Sequence, residues 1–89
     1  MYDWDDTKDR EKRIQFGFGF SEVMALFNSP YYFEASETYP GQYRAIGYAS
    51  NQVLVTVACE DRLDDDGNEI TWLATFWKAS AAERKKYEE

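Results

Sequence analysis

The chain contains no histidine, one cysteine and two prolines, and no apolar run in it is long enough to span a membrane. Without histidine, neither a Ser-His-Asp nor a Cys-His nucleophilic set can be assembled. One cysteine and no histidine cannot build a tetrahedral zinc site. Cys59 has no partner for an internal disulfide, and its place within an apolar run marks it as a buried structural thiol. Positive charge is scarce as well: 10 basic residues face 17 acidic ones, a formal net charge of −7. Non-specific nucleic-acid binding rests on Lys and Arg neutralising phosphates, so direct nucleic-acid binding is not expected outside a small basic pocket. The same charge opposes binding to anionic membrane surfaces. The acidic opening MYDWDDTKD is unlike a signal peptide. These absences predict a cytoplasmic protein with no cofactor, no metal and no membrane association.

Aromatic rings, by contrast, are abundant. The chain carries 3 Trp, 7 Tyr and 6 Phe in 89 residues, and hydrophobic residues make up 44% of it. That composition is globular rather than disordered. A chain of this length forms one domain, residues 1–89, and buries about 60% of its unfolded surface. So small a core cannot hide every ring, so some of them are expected on a binding face.

Residues 5–15, DDTKDREKRIQ, place acids before bases in the order that suits a helix dipole. FGFGF at 16–20 predicts a turn with rings packing inward; a phosphate loop would need a preceding strand rather than a charged helix. Ser21 is placed to cap SEVMALF, where Val23, Met24 and Phe27 recur at helical spacing, and Asn28-Ser29-Pro30 ends the segment. YYFEA at 31–35 reads as a strand and SETYPGQ at 36–42 as a turn segment. YRAIGYA at 43–49 and QVLVTVACE at 52–60 form a hairpin across Ser50-Asn51. DRLDDDGNE at 61–69, with its Asp66-Gly67 turn dipeptide, leads to a strand at 70–77, ITWLATFW. Ser80 then caps a final helix, AAERKKYEE. The expected fold is α+β: an antiparallel sheet of about four strands, two N-terminal helices and one C-terminal helix.

Asp64, Asp65 and Asp66 before Gly67 invite comparison with a calcium loop. Arg62 stands in the first ligand slot and Leu73 where the bidentate glutamate belongs, so an acidic hairpin tip is expected instead. Glu60 and Arg44 are placed to face a shared groove, or to form an ordinary cross-strand ion pair. Strict alternation along 70–77 puts Trp72 and Phe76 on one face and Trp77 on the other, so both faces carry large rings.

In this order of elements the chain resembles the BrnT family of bacterial type II toxins, which have a RelE-like ribonuclease fold and pair with a BrnA antitoxin. Trp4, Asp5, Asp6 and Lys8 fit the family's W-D-E-x-K opening. Gly17 and Phe20 fit the end of N-x-x-K-H-G-x-x-F, and Phe27 and Pro30 fit V-F-x-D-P. Ala45-Ile46-Gly47 and Val53 to Val57 match the central hairpin. Lys78, Ala79, Glu83, Arg84 and Tyr87 match a signature close to I-I-S-A-R-K-A followed by E-R-x-x-Y. The departures fall on the chemistry. Phe16 stands for the usual histidine, Gln15 for the basic residue before it, and Gln42 for the central arginine, with Arg44 two residues on. Trp72 and Trp77 stand for the two arginines of the last strand.

Ribonuclease chemistry at a 2′-hydroxyl needs proton transfer near neutrality and positioned cations at the phosphate. Losing one such donor costs on the order of 3 kcal/mol, and several are missing. Two readings follow. In the first, a catalytically degenerate BrnT-like protein serves as an acidic, aromatic-rich binding module. Trp72, Phe76 and Trp77 are its anchors, and Asp64, Asp65 and Asp66 supply negative potential. Its partner is then a basic, nucleic-acid-handling protein that it inhibits, and phage inhibitors of host defence such as anti-CRISPR proteins share this composition. In the second, an endoribonuclease toxin survives on Arg44, Lys78, Arg84 and Tyr87 and is silenced by an antitoxin. An antitoxin-like regulatory role stands beside the first.

Overall fold

A computed structural model describes residues 1–89 and shows an α+β fold of one mixed five-stranded sheet with three α-helices. The elements in chain order are β1 (Tyr2–Asp3), α1 (Asp6–Phe16), α2 (Phe20–Val23), a 3-10 helix (Met24–Asn28), β2 (Tyr32–Ala35), β3 (Gln42–Tyr48), β4 (Leu54–Leu63), β5 (Glu69–Lys78) and α3 (Ala81–Glu88). The strand order is β1-β5-β4-β3-β2, and every neighbouring pair is antiparallel except β1 with β5. The fifth strand is the main departure from the expected four. It is two residues long, Tyr2 and Asp3 beside Thr71 and Trp72, too short to leave a periodic signal.

The charged segment forms α1, capped by the Asp5 carboxylate accepting from the Lys8 N–H at 2.9 Å. Gly17 ends it in the left-handed conformation at φ 84°, its N–H reaching Arg13 O at 2.9 Å, a geometry that a side chain would strain. The next helix begins two residues earlier than a Ser21 cap implies, with Gly19 at its cap. The Glu22 carboxylate accepts from the Gly19 N–H at 2.8 Å, and Asp9 on α1 accepts from the Phe20 N–H at 2.8 Å. Arg13 bridges both carboxylates, at 3.0 Å to each. This cross-linked corner turns the FGFGF rings inward, as expected of the stretch. The helix then tightens into a 3-10 turn, so that Val23 and Leu26 are buried while Met24 is exposed.

One sheet face, carrying Ala45, Val55, Val57, Cys59, Leu73 and Phe76, packs against Phe18, Phe20, Val23 and Leu26 to form the core. The opposite face is covered at one end only, by α3. The Ser80 hydroxyl accepts from Glu83 N at 3.1 Å, and the Glu83 carboxylate accepts from Ser80 N at 2.8 Å. The strands run further than the sequence indicates: β4 reaches Leu63 and β5 begins at Glu69, leaving a tip of only 64–68. No helix is long and apolar enough to cross a membrane.

Candidate functional site

The placement of the rings turns on one extra residue. β5 pairs Phe76 with Val57 and Thr75 with Ala58, then Leu73 with Cys59, so Ala74 is bulged out of the ladder. The bulge reverses the alternation along the strand. Leu73 and Phe76 lie opposite Cys59 and Val57 on the core face, while Trp72 and Trp77 lie opposite Glu60 and Thr56 on the other. The strict period of two, which groups Trp72 with Phe76, is therefore wrong here. Phe76 is fully buried among Phe16, Phe18 and Phe20, so it belongs to the core and not to a presented surface. The two indoles share the open face.

Each indole carries a guanidinium. The Arg62 guanidinium lies 4.4 Å from the Trp72 ring centre, and that of Arg44 lies 5.5 Å from Trp77. Trp77 is also tied to α3, its Nε1–H donating to Glu83 Oε1 at 3.0 Å. Burial opposes the charge on Glu83, but the Ser80 N–H and the Trp77 indole outweigh it and hold the carboxyl below its ordinary range. Beneath them Thr56 Oγ1 is buried without a hydrogen bond of standard geometry, although it lies near enough to Glu83 to favour the ionised form. The remaining α3 contacts are Tyr87 edge-on to Tyr48 at 5.5 Å and Lys86 Nζ to Glu34 at 2.9 Å.

Beyond the end of α3, a groove of about 620 Å³ opens between the 36–41 loop and the central strands. Its charged walls are Glu34, Glu37, Arg44 and Glu60. Arg44 and Glu60 thus share a groove, but they are not an ion pair. Arg44 faces Ala58 across the strands and rests on Trp77, while Glu60 pairs with Arg62 at 3.3 Å. None of the five ion pairs engages Arg44.

The other expected site residues divide. Lys78 lies opposite Val55 on the core side, 5.9 Å from the Phe16 ring, and so does not join Arg44. Arg84 approaches Glu88 at 4.0 Å on exposed α3. In the tip, Asp64 is occupied with shaping the turn: its Oδ1 accepts from the N–H groups of Asp66 and Asn68 at 2.9 and 2.8 Å. Those bonds hold its carboxyl below the ordinary range, the Asn68 N–H most of all. Asp65 and Asp66 are exposed. Cys59 is buried, and burial pushes its thiol up to about 12, which suits an inert core residue rather than a nucleophile. Arg62, missed in the sequence, had one signal: at 60 and 62 it and Glu60 share a strand face. No protein-family model and no curated protein matches the chain.

Proposed function

We propose that this chain is a BrnT-like protein whose basic positions have been replaced, and that it acts as a binding module for a basic partner that handles nucleic acid. The observation that carries the reading is the pair of indoles on one open face, Trp72 and Trp77, at the positions where the resemblance calls for arginine. Half-buried indoles beside a groove are the kind of anchor that dominates interface energies. The two arginines nearby sit on these rings, so they add width to an apolar platform instead of standing free for a phosphate. Excess negative charge flanks the platform. The 36–41 loop and the 61–69 hairpin carry Glu37, Asp61, Asp64, Asp65, Asp66 and Glu69 against Arg62 alone. That pattern favours fast, salt-sensitive association with a basic surface.

A ribonuclease reading draws on one observation. Arg44 and Lys86 are close enough to oppose each other's charge, and Arg84 follows on the same helix as Lys86. Lys86 is paired with Glu34, however, which leaves Arg44 as the one unpaired cation at the groove. The test of the binding reading is capture of a partner followed by its kinetics with the parent protein and Trp72→Ala. A basic partner whose affinity falls at least about tenfold with Trp72→Ala, and whose association slows with salt, supports it. Equal binding by parent and variant overturns it.

A further inference from the structure

The core face of the sheet is not covered along its whole length. Beside the buried core residues the same face carries a second group of rings, running from Tyr2 on β1 through Phe27 of the 3-10 helix to β2 and β3, with Phe33 level with Val57 and Tyr43 level with Cys59. Tyr2 stacks on Phe27 at 4.9 Å, Phe27 meets Tyr31 edge-on at 5.0 Å, and Phe33 leans on Tyr43 at 4.8 Å. Tyr2, Tyr31 and Phe33 remain 39%, 41% and 54% exposed. The strand register brings a carboxylate to them. Asp61 lies opposite Thr71, as does Tyr2 on the other side of β5, and two residues along β4 is Cys59, opposite Tyr43. Asp61 joins none of the five ion pairs and accepts no side-chain hydrogen bond.

These groups are close in space as well as in register. Tyr43 is held up at about 12, first by burial, with the Cys59, Asp61 and Tyr31 groups adding to the rise. Tyr2 is raised first by burial and then by Tyr31. An unpaired carboxylate with Tyr43 beside it and Tyr2 across β5 favours a cation, because ring faces attract positive charge and the carboxylate binds it with direction.

We propose that Tyr2, Tyr31, Phe33 and Tyr43, with Asp61, form a docking site for an arginine or lysine side chain of a partner protein, on the opposite side of the sheet from the indoles. Charge selects the occupant. Two copies at −7 each repel, whereas a basic segment meets the most acidic end of the molecule. The site stands apart from the proposed indole platform and does not depend on it.

The test is a nuclear magnetic resonance titration of the whole protein with the peptide acetyl-Gly-Arg-Gly-Lys-Gly-Arg-Gly-amide, beside a control with serine at the basic positions. Saturable shifts at Tyr2, Tyr31, Phe33 and Asp61, absent with the control peptide, are expected. Asp61→Asn should weaken them about fivefold or more, and Phe33→Ala, at an exposed edge, should weaken them while the fold is kept. A Glu89→Gln variant, next to α3 on the other side of the sheet, should leave them in place. No shift in these residues, an equal response from Asp61→Asn, or shifts confined to 64–66 overturns the proposal. Self-association through this patch in sedimentation overturns it too. Shifts at the Trp72 and Trp77 indoles alone sink this site and leave the indole platform standing; shifts at the tyrosines alone support this site and leave the platform to its own test.

Discussion

Phe76 and Trp77 are neighbours in the chain and sit on opposite sides of the sheet, under opposite kinds of cover. Phe76 is enclosed by Phe16, Phe18 and Phe20, whose arrangement is held by the Asp9, Arg13 and Glu22 corner. Trp77 is covered by the guanidinium of Arg44 and the carboxylate of Glu83, both of which keep one side toward water. A ring under other rings contributes mainly to stability, through area removed from water and close packing. A ring under charged groups that face water can exchange that cover for a partner. The difference between Phe76 and Trp77 is thus a difference between a ring that holds the fold and a ring whose cover can be exchanged.

That contrast can be broken from the covered side first. Phe76→Ala should cost about 3–5 kcal/mol of unfolding free energy in chemical denaturation, enough to unfold a marginal domain of this size. Asp9→Ala should cost about 1–3 kcal/mol, because it strands the half-buried Phe20 N–H and removes one of the two carboxylates that hold Arg13. Glu83→Ala, measured the same way, should cost about 1–2 kcal/mol by removing the acceptor of the Ser80 N–H in the capping box and the acceptor of the Trp77 indole.

The pH dependence sharpens the same point. Glu22 is held below its ordinary range, the Gly19 N–H contributing most, and Glu83 is held low against its burial by Ser80 and Trp77. A carboxyl depressed on folding contributes stability above its unfolded value, and that stability is lost as pH falls through the folded value. Thermal unfolding followed from neutral pH down to about pH 3 should show this loss in the parent. The loss should shrink in Glu83→Gln. The smallest effect on stability is expected on the open face. Trp72→Ala should change unfolding free energy by no more than about 1 kcal/mol, since its cover is an exposed cation.

Much of the fold was legible in the residues. The helical charge order of 5–15, the central hairpin and the Ser80 cap were each specified locally, and each appears in the structure. The sites were less legible because they depend on register, which is not a local property. A single bulged Ala74 moved Trp77 to the same face as Trp72 and sent Phe76 into the core. The local sign was there: Leu73 and Phe76, both core-sized and three apart, break a strict alternation. Arg44 and Glu60 were rightly placed on one groove, but their partners could not be read, since Trp77 and Arg62 compete for them. Asp64 looked like part of an open acidic tip, and backbone N–H groups within the turn took it instead.

The most direct test of the open face as a binding surface is incubation of the purified protein with a labelled mixed-sequence RNA, beside an Arg44→Ala, Arg84→Ala double variant. The account predicts no cleavage by either protein across a wide range of concentration. Cleavage by the parent that the double variant lacks would contradict it, and would make the indole face part of a rebuilt ribonuclease site.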